Sequence, residues 1–519
     1  MYQCPGCGAQ LRFDIKTQQM LCDNCRTQVD PYKVIKDHDA EETDYFEVTV
    51  FHCPQCGGEI MSTENSAAEF CSFCGASTIL TGRIEKEKRP GFIIPFKKTK
   101  EDCKAAYRKA LRGALYAPSE FRKTEFIDSF RGIYMPYWAY DIANEGHVVM
   151  KGETSYRKGD YIITEHYDLH CDVDAFYRGI SYDASSSFDD NLSDCIAPYD
   201  VHEMMNFTPA FLSGFYADVD DVPSEIYQID AEDISIKNTF RKVKGQFTGK
   251  TIKSDERVIR NITRQRAVDR TMYPVWFMSY RNNDRVAYAV VNGQTGRVTA
   301  DVPVAIWKYL LGSIITAVPL FFLLNAFFTF IPNALLTLSC ILAFIVEINF
   351  ATRISKIRNR EARLTDKGYL YKTGINSSMA VNLREQKKEK NSMNPLPGYI
   401  AVAVGLVVAA NISNIYEYDL YIFGIMLVIS LVIVITCVKN QKETSGKNGF
   451  PAHVLLLVVM AAAALIKFLK PVSDIYYYMG VILVLVGVAI ANLTVIKKHN
   501  ILTTRPLPQF ERKGGDDRA

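Results

Sequence analysis

Charge is what the C-terminal part of this sequence lacks. Between Trp307 and Glu347 the one charged residue is Lys308, and the runs 395–416, 420–438, 454–466 and 475–496 contain no Asp, Glu, Lys or Arg. Runs of about 20 apolar residues cross about 30 Å of hydrocarbon, so a wholly water-soluble protein is excluded. The first stretch is long enough for two helices, with Pro332-Asn333 as the turn between them, which gives six spans. Also missing is a basic-then-apolar leader. The chain opens on polar, Cys-bearing residues, no signal peptide is expected, and the residues before 304 are expected in the cytosol.

Inside the spans, polar groups are few: Asn325, Glu347, Asn411, Asn414, His453 and Asn492. Transport pathways display several intramembrane ionisable groups, so an anchoring or oligomerising bundle is favoured over a transporter. Glu347 lies near the cytoplasmic end, where it is expected to snorkel towards the head groups. Basic residues are retained on the cytoplasmic side, and they crowd the connection from Arg353 to Lys390, the segment from Lys439 to Lys447, and the tail from Lys497. The opposite turns hold Pro332-Asn333 and the acidic Glu417 and Asp419; Lys467 and Lys470 in the third outer turn are the exception. Both termini are therefore expected inside.

Thirteen cysteines in a reducing compartment argue against a disulfide framework and for metal ligation where spacing permits. Eight have that spacing. Cys4-Pro-Gly-Cys7-Gly8 precedes Cys22-Asp-Asn-Cys25 by fourteen intervening residues, and Cys53-Pro-Gln-Cys56-Gly57 precedes Cys71-Ser-Phe-Cys74-Gly75 by the same interval. A Cys-x-x-Cys turn aims two thiolates at one point, and a second such turn completes a tetrahedral four-sulfur site. Two zinc ribbons follow, each with one structural zinc ion, iron of the rubredoxin kind being the alternative.

Ribbons bind nucleic acid or protein, and charge chooses between them. No Lys or Arg occurs from Phe51 to Gly82, where Glu59, Glu64 and Glu69 lie, and the preceding linker carries Asp37, Asp39, Glu41, Glu42, Asp44 and Glu47. Phosphate neutralisation needs basic side chains. Only Arg12, Lys16 and Arg26 of the first ribbon and the 83–89 linker offer any, so protein docking or plain structural support is favoured over nucleic acid.

Residues 90–303 read as a cytosolic α+β domain, mainly antiparallel β. A strand at 92–96 leads to a helix at 100–114. Strands are expected at 132–142, 146–154, 161–172 and 175–182, a helix at 224–242, and further strands from 257–267 onwards. Tyr134-Met135-Pro136-Tyr137-Trp138 is echoed by Met272-Tyr273-Pro274-Val275-Trp276, and the second copy ends in the turn signal Asn292-Gly293-Gln294-Thr295-Gly296. An approximate duplication is expected, with each Pro-x-Trp strand packing one half; Trp307, the third and last Trp, fits a membrane interface.

Taken with the Cys-Pro-x-Cys-Gly ribbons, the stretches 92–96 and 132–140, Asp200 with 208–216, and 273–296 resemble an uncharacterised bacterial family. Its members are called transcription-factor-IIB-type zinc-ribbon proteins, and some primosomal helicase-like. The resemblance covers about residues 1–303 and implies architecture and a bacterial inner-membrane location, with no established activity. A helicase needs a phosphate loop. The nearest stretch, Gly245 to Thr251, is one residue short and has no apolar strand before it.

One polar row stands out. If 165–172 is a strand, His166, Asp168, His170 and Asp172 share one face. They have the chemistry of metal ligands or of an acid-base pair, and they equally suit a solvent-facing strand. Cys103, Cys171 and Cys195 read as ordinary thiols.

The resulting organisation is zinc ribbon 1 at 1–35, an acidic linker at 36–50, zinc ribbon 2 at 51–82 and the α+β domain at 90–303. Membrane helices follow at 304–352, 398–438 and 451–497, interrupted by a basic cytosolic loop at 353–397, with a disordered tail at 498–519. The preferred function is a non-enzymatic membrane-tethered adaptor, scaffold or sensor docking a cytosolic or membrane protein. The runner-up is a transport or membrane-enzyme component with a regulatory cytosolic domain, and a nucleic-acid-facing role is third. The sequence specifies no small-molecule ligand.

Overall fold

The computed structural model describes residues 2–34, 45–62, 71–75, 81–282, 285–327, 331–361, 366–372, 419–439 and 450–506. The first three strands, β1 (Leu11–Asp14), β2 (Gln19–Cys22) and β3 (Gln28–Val29), form a small antiparallel sheet of their own. Alternation buries Leu11, Phe13 and Met20 on one side of it. The Asp14 carboxylate accepts the Thr17 N–H at 2.9 Å and so ties the connecting turn.

The next strands join a thirteen-stranded sheet that dominates the soluble part. They are β4 (Tyr45–His52), β5 (Glu59–Ser62), β6 (Thr81–Lys88) and β7 (Phe92–Ile93). Two segments expected as linkers are therefore strands: residues 45–50 and 83–88 pair along the whole of β4 and β6. The reason is period-two alternation. Phe46, Val48 and Val50 are buried, while the charges that resemble a linker lie between them, with Glu47 opposite Lys86. The acidic residues 37–44 and Glu64 and Glu69 lie outside the described residues.

Helix α1 (Lys100–Arg112) starts at a reciprocal Thr99–Asp102 capping box and buries Cys103, Tyr107 and Leu111; a short α2 (Thr124–Ile127) follows. Then comes a hairpin of two long strands, the 28-residue β8 (Arg131–Lys158) and the 23-residue β9 (Tyr161–Asp183). The expected breaks within each are absent, and a register shift at Tyr140/Ile142 accommodates the irregularity instead. After α3 (Asp190–Ile196), β10 (Met205–Asn206) and β11 (Tyr216–Ala217), α4 (Glu225–Gln246) lies across the hairpin. Ile236 and Val243 of α4 pack there with Val148, Met150 and Leu169. The soluble part closes with β12 (Thr251–Ile252), α5 (Arg257–Arg260), β13 (Thr263–Asn282), β14 (Arg285–Asn292) and β15 (Val298–Ala300). Residues 257–260, expected as strand, are thus a helical turn that buries Ile259.

The sequence echo has a geometric counterpart. β13 pairs antiparallel with β8, and the ladder is symmetric about Met135 opposite Tyr273: Pro136 faces Met272 and Pro274 faces Tyr134. Each strand continues into its own hairpin, β8 into β9 and β13 into β14. The two tryptophans do equivalent work. Trp138 Nε1 donates to the Val222 carbonyl at 2.7 Å and Trp276 Nε1 to the Lys98 carbonyl at 2.8 Å.

Among the described residues five long helices follow: α6 (Ile306–Phe327), α7 (Pro332–Glu361), then, after the short α8 (Lys367–Lys372), α9 (Asp419–Lys439), α10 (Phe450–Leu469) and α11 (Asp474–Leu502). Three stretches among the described residues, Pro332–Thr352, Pro451–Leu469 and Asp474–Ile501, are long and apolar enough to cross a membrane. The run expected as the third span lies outside the described residues, as do Lys442 and Lys447. Helices α7, α9, α10 and α11 share one apolar core. Glu347 is not at the surface as expected. It is fully enclosed, with its carboxylate 3.6 Å from His453 Nδ1, and Phe350 stacks on that imidazole at 4.6 Å.

Bundle and sheet are joined at defined points. Asn500 bonds both backbone groups of Val304, and Arg285 reaches the Ile501 carbonyl at 2.9 Å. The expected disordered tail is ordered at its start: residues 498–502 continue α11, and a last strand, β16 (Arg505–Pro506), pairs with β14. Arg505 is held there by Asp189 at 3.0 Å and by the face of Tyr288. Residues 507–519 lie outside the described residues. The basic loop likewise does more than mark topology, since α7 runs on to Glu361 and α8 docks on the sheet domain. There Lys372 pairs with Asp221 at 2.7 Å, and the Lys367 N–H donates to Asp190 at 2.8 Å.

Gly293, in the predicted Asn292–Gly296 turn, sits where an added Cβ would lie 2.6 Å from Phe96 and 2.8 Å from Pro274. Overpacking of this kind costs about 1–3 kcal/mol. Gly293→Ala is predicted to lower the denaturation midpoint of the soluble part accordingly; an unchanged midpoint would contradict the close packing of this turn.

Candidate metal centres

Eight cysteines converge as two quartets. In each, the ligand sulfurs lie within 4.8 Å of one another: Cys4, Cys7, Cys22 and Cys25 in one, Cys53, Cys56, Cys71 and Cys74 in the other. All four Cys-x-x-Cys turns close in the same way, with the N–H after the second cysteine donating to the carbonyl of the first. These bonds run from Gly8 to Cys4, Arg26 to Cys22, Gly57 to Cys53 and Gly75 to Cys71, at 2.8–3.0 Å. The turn requires a left-handed residue at its end. Glycine supplies it in three turns, and Arg26, at φ 61°, in the fourth.

The sulfur spacing fits a tetrahedral ion. Four thiolates at about 2.3 Å from zinc stand about 3.8 Å apart. Cys4–Cys25 and Cys7–Cys22 stand 3.4 Å apart, and Cys53–Cys74 and Cys56–Cys71 3.7 Å. Both quartets could hold a metal ion.

They differ in exposure. In the first, Cys7 and Cys25 are exposed, whereas all four cysteines of the second are buried. Cys25 Sγ lies 3.0 Å from the Thr27 hydroxyl, which with the Thr27 backbone pulls its thiol down to about 6. That hydroxyl is an outer hydrogen bond to a ligand sulfur, of the kind that tunes metal affinity. The second quartet packs with Phe51, Ile60, Phe73 and Tyr216, and the Tyr288 hydroxyl donates to the Phe73 carbonyl at 2.7 Å. Its hairpin also belongs to the large sheet, because β5 pairs with β11, and β11 with β8. Among the described residues the first ribbon pairs with no strand of the large sheet and is fastened by other contacts: Ser213 Oγ donates to the Leu11 carbonyl, Gln18 Nε2 to the Phe96 carbonyl and the Tyr32 hydroxyl to the Asn206 carbonyl, each at 2.8 Å, and Phe13 packs against Phe211 at 5.1 Å.

The spacing of the cysteines gave the ligands but not their surroundings. Thr27, Tyr216 and Tyr288 carry no motif and are found only by folding the chain. The same holds for the serines beside the second ribbon: Ser185 and Ser187 both donate to Asp218, whose carboxyl burial pushes up to about 7.

The polar strand row divides. All four residues are exposed on the hairpin face opposite Leu169 and Val173. Asp168 pairs with Lys151, and His166 lies 3.9 Å from Glu153. His170 and Asp172 instead gather around His147, a residue the sequence reading did not single out. The phosphate-loop-like stretch is the end of α4, a turn, and the start of β12, with Lys250 over the Tyr167 ring at 4.0 Å. Cys103 is buried and its thiol pushed up; Cys171 is half-buried and Cys195 exposed.

The difference in exposure predicts sequential metal loss. A chromophoric chelator should remove one metal equivalent rapidly and the second only as the sheet domain unfolds. Cys7→Ser should abolish the fast phase alone. Simultaneous release of both equivalents would contradict the enclosure of the second centre.

A Bacillus subtilis (strain 168) protein described as "Uncharacterized protein YdjG" is similar to this chain, 29% identical over 311 residues that make up 59% of this chain and 90% of that protein. No family model matches the chain, and no solved structure does.

Proposed function

We propose that this is a non-enzymatic adaptor of the bacterial inner membrane, which carries two structural zinc ions and docks a protein partner through its cytosolic face. The observation that supports it most is the division of labour between the ribbons. The second is enclosed in the sheet, while the first leaves Cys7, Asp23, Asn24 and Cys25 exposed on a hairpin fastened to the same sheet. A knuckle pair presented on the sheet offers a shaped surface to a protein, while the acidic stretch from Asp37 to Glu47 and a second ribbon without Lys or Arg disfavour phosphate. The resemblance to transcription-factor-IIB-type zinc-ribbon proteins is retained as part of this reading.

Six spans with both termini in the cytoplasm complete it. α6 begins and α11 ends at the same place, the Val304–Asn500 contact, which supports an even number of crossings. Lys372 lies on the sheet side, paired with Asp221. The start of α9 is at the far end, where Phe423 stacks under Lys467 and Lys467 bonds Thr337 near the start of α7. One further crossing between 372 and 419 is what the expected third span supplies.

A second reading, transport, is favoured by one observation, the enclosed Glu347–His453 pair between α7 and α10. Intramembrane ionisable pairs mark ion and substrate paths.

The adaptor reading is tested by a photo-crosslinking side chain at position 24 of the full chain in native membranes. One protein adduct, lost when Cys4→Ser and Cys7→Ser remove the first metal, is the expected outcome. Lipid adducts alone, with both metals bound, would contradict it and shift weight to the bundle.

A further inference from the structure

The cross-strand face of the β8–β9 hairpin gathers two imidazoles and a carboxylate from both strands. His147 stands directly opposite Asp172, and His170 is opposite Val149, one step along the same face. His147 Nδ1 lies 2.7 Å from Asp172 Oδ1, and His147 Nε2 lies 3.1 Å from His170 Nδ1. We propose that His147 Nε2 and His170 Nδ1 are adjacent ligands of a third metal ion, a divalent transition cation such as Ni²⁺, Cu²⁺ or Zn²⁺, with Asp172 orienting His147 from behind.

Three features support the assignment. The first is spacing. Two imidazole nitrogens bound at about 2.0–2.1 Å stand about 2.8–3.4 Å apart when their angle at the metal is between square and tetrahedral, and the observed separation falls in that window. The second is the carboxylate. Asp172 accepts the Nδ1 proton of His147, which fixes the tautomer that leaves the Nε2 lone pair free. This is the usual support of a metal-bound histidine. Third is rigidity. The residues alternating with the ligands, Val148, Leu169, Cys171 and Val173, face the other way and pack under α4 and α5. Gly146, next to His147, is pressed against Ile262, which a Cβ there would meet at 2.8 Å. The backbone that spaces the two imidazoles is therefore held from below.

The rest of the row is unsuited. Asp168 is neutralised by Lys151, and the Glu153 beside His166 is engaged by Lys253 at 2.6 Å. Those ammonium groups repel a dication. Asp172, by contrast, has His147 as its sole ion-pair partner among the described residues.

Metal binding balances without an external reactant. In the metal-free hairpin one proton sits between His147 Nε2 and His170 Nδ1. The metal replaces it, His170 takes a proton at Nε2 through solvent, and both imidazoles stay neutral. Two protein nitrogens leave the remaining positions to water, so the site is open and exchangeable, unlike the four-sulfur centres.

The test uses the full-length protein without a histidine tag, its two ribbon equivalents already loaded with zinc, titrated with Ni²⁺ by calorimetry. One additional equivalent with micromolar affinity is expected, with no release of ribbon zinc. His147→Ala and His170→Ala should each weaken it at least tenfold, Asp172→Asn should weaken it to a smaller extent, and His166→Ala should leave it unchanged. With Cu²⁺ in place of Ni²⁺, the electron paramagnetic resonance spectrum should show two nitrogen couplings. No additional equivalent, or one that His166→Ala removes while His147→Ala and His170→Ala spare it, would overturn the proposal. All four side chains are exposed, so unchanged ribbon zinc in each variant separates loss of this site from loss of fold.

Discussion

The antiparallel pairing of β8 with β13 is the constraint on which the other parts depend. Centred on Met135 and Tyr273, it occupies one edge of β8 and leaves the opposite edge for β11 and then β9. β11 is the bridge to the second metal ribbon, and β14, on the far side of β13, is the bridge to the end of the membrane bundle. The second cysteine quartet, the sheet and the apolar helices are thus connected through backbone hydrogen bonds. Where the ladder is buried on both sides, Thr271–Trp276 opposite Gly132–Tyr137, it stabilises cooperatively, because each strand covers apolar residues that its neighbour cannot cover alone.

The junctions show a second rule. Where helices meet sheet, the contacts include charged and polar ones, of which Arg505 with Asp189 is largely desolvated, Asn500 with Val304 is half-buried and Lys372 with Asp221 is more exposed. Such pairs add little net stability compared with apolar contacts, but breaking one partner leaves an uncompensated buried charge. They therefore specify orientation more than they add strength. The Glu347–His453 pair applies the same rule between α7 and α10 inside the bundle.

What the sequence made legible follows from range. The cysteine turns, the helix at 100–114, the Asn292–Gly296 turn and the apolar helices are local patterns of fewer than about 25 residues, and periodicity or spacing reveals such patterns. The Pro-x-Trp echo was legible as a repeat, yet that its two copies pair with each other across a two-fold was not, since register is a long-range property. Residues 45–50 and 83–88 looked like linkers because their outward faces are charged, and only their mutual pairing makes them strands. The row from His166 to Asp172 was correctly read as one face. Its partner His147 lies 23 residues before His170, and nothing in either strand alone joins them. Arg505 resembled a disordered tail because the acid that holds it, Asp189, is remote in sequence.

The central claim is that the second metal centre is a working part of the sheet and not an appended module. Hydrogen–deuterium exchange on the full-length protein, compared with the Cys53→Ser/Cys56→Ser variant, tests it most directly. The account predicts that amide protection falls in Tyr216–Ala217 and in the first residues of β8 as well as in β4 and β5. Loss of protection confined to residues 45–62 and 71–75, with β8 and β11 unchanged, would contradict it.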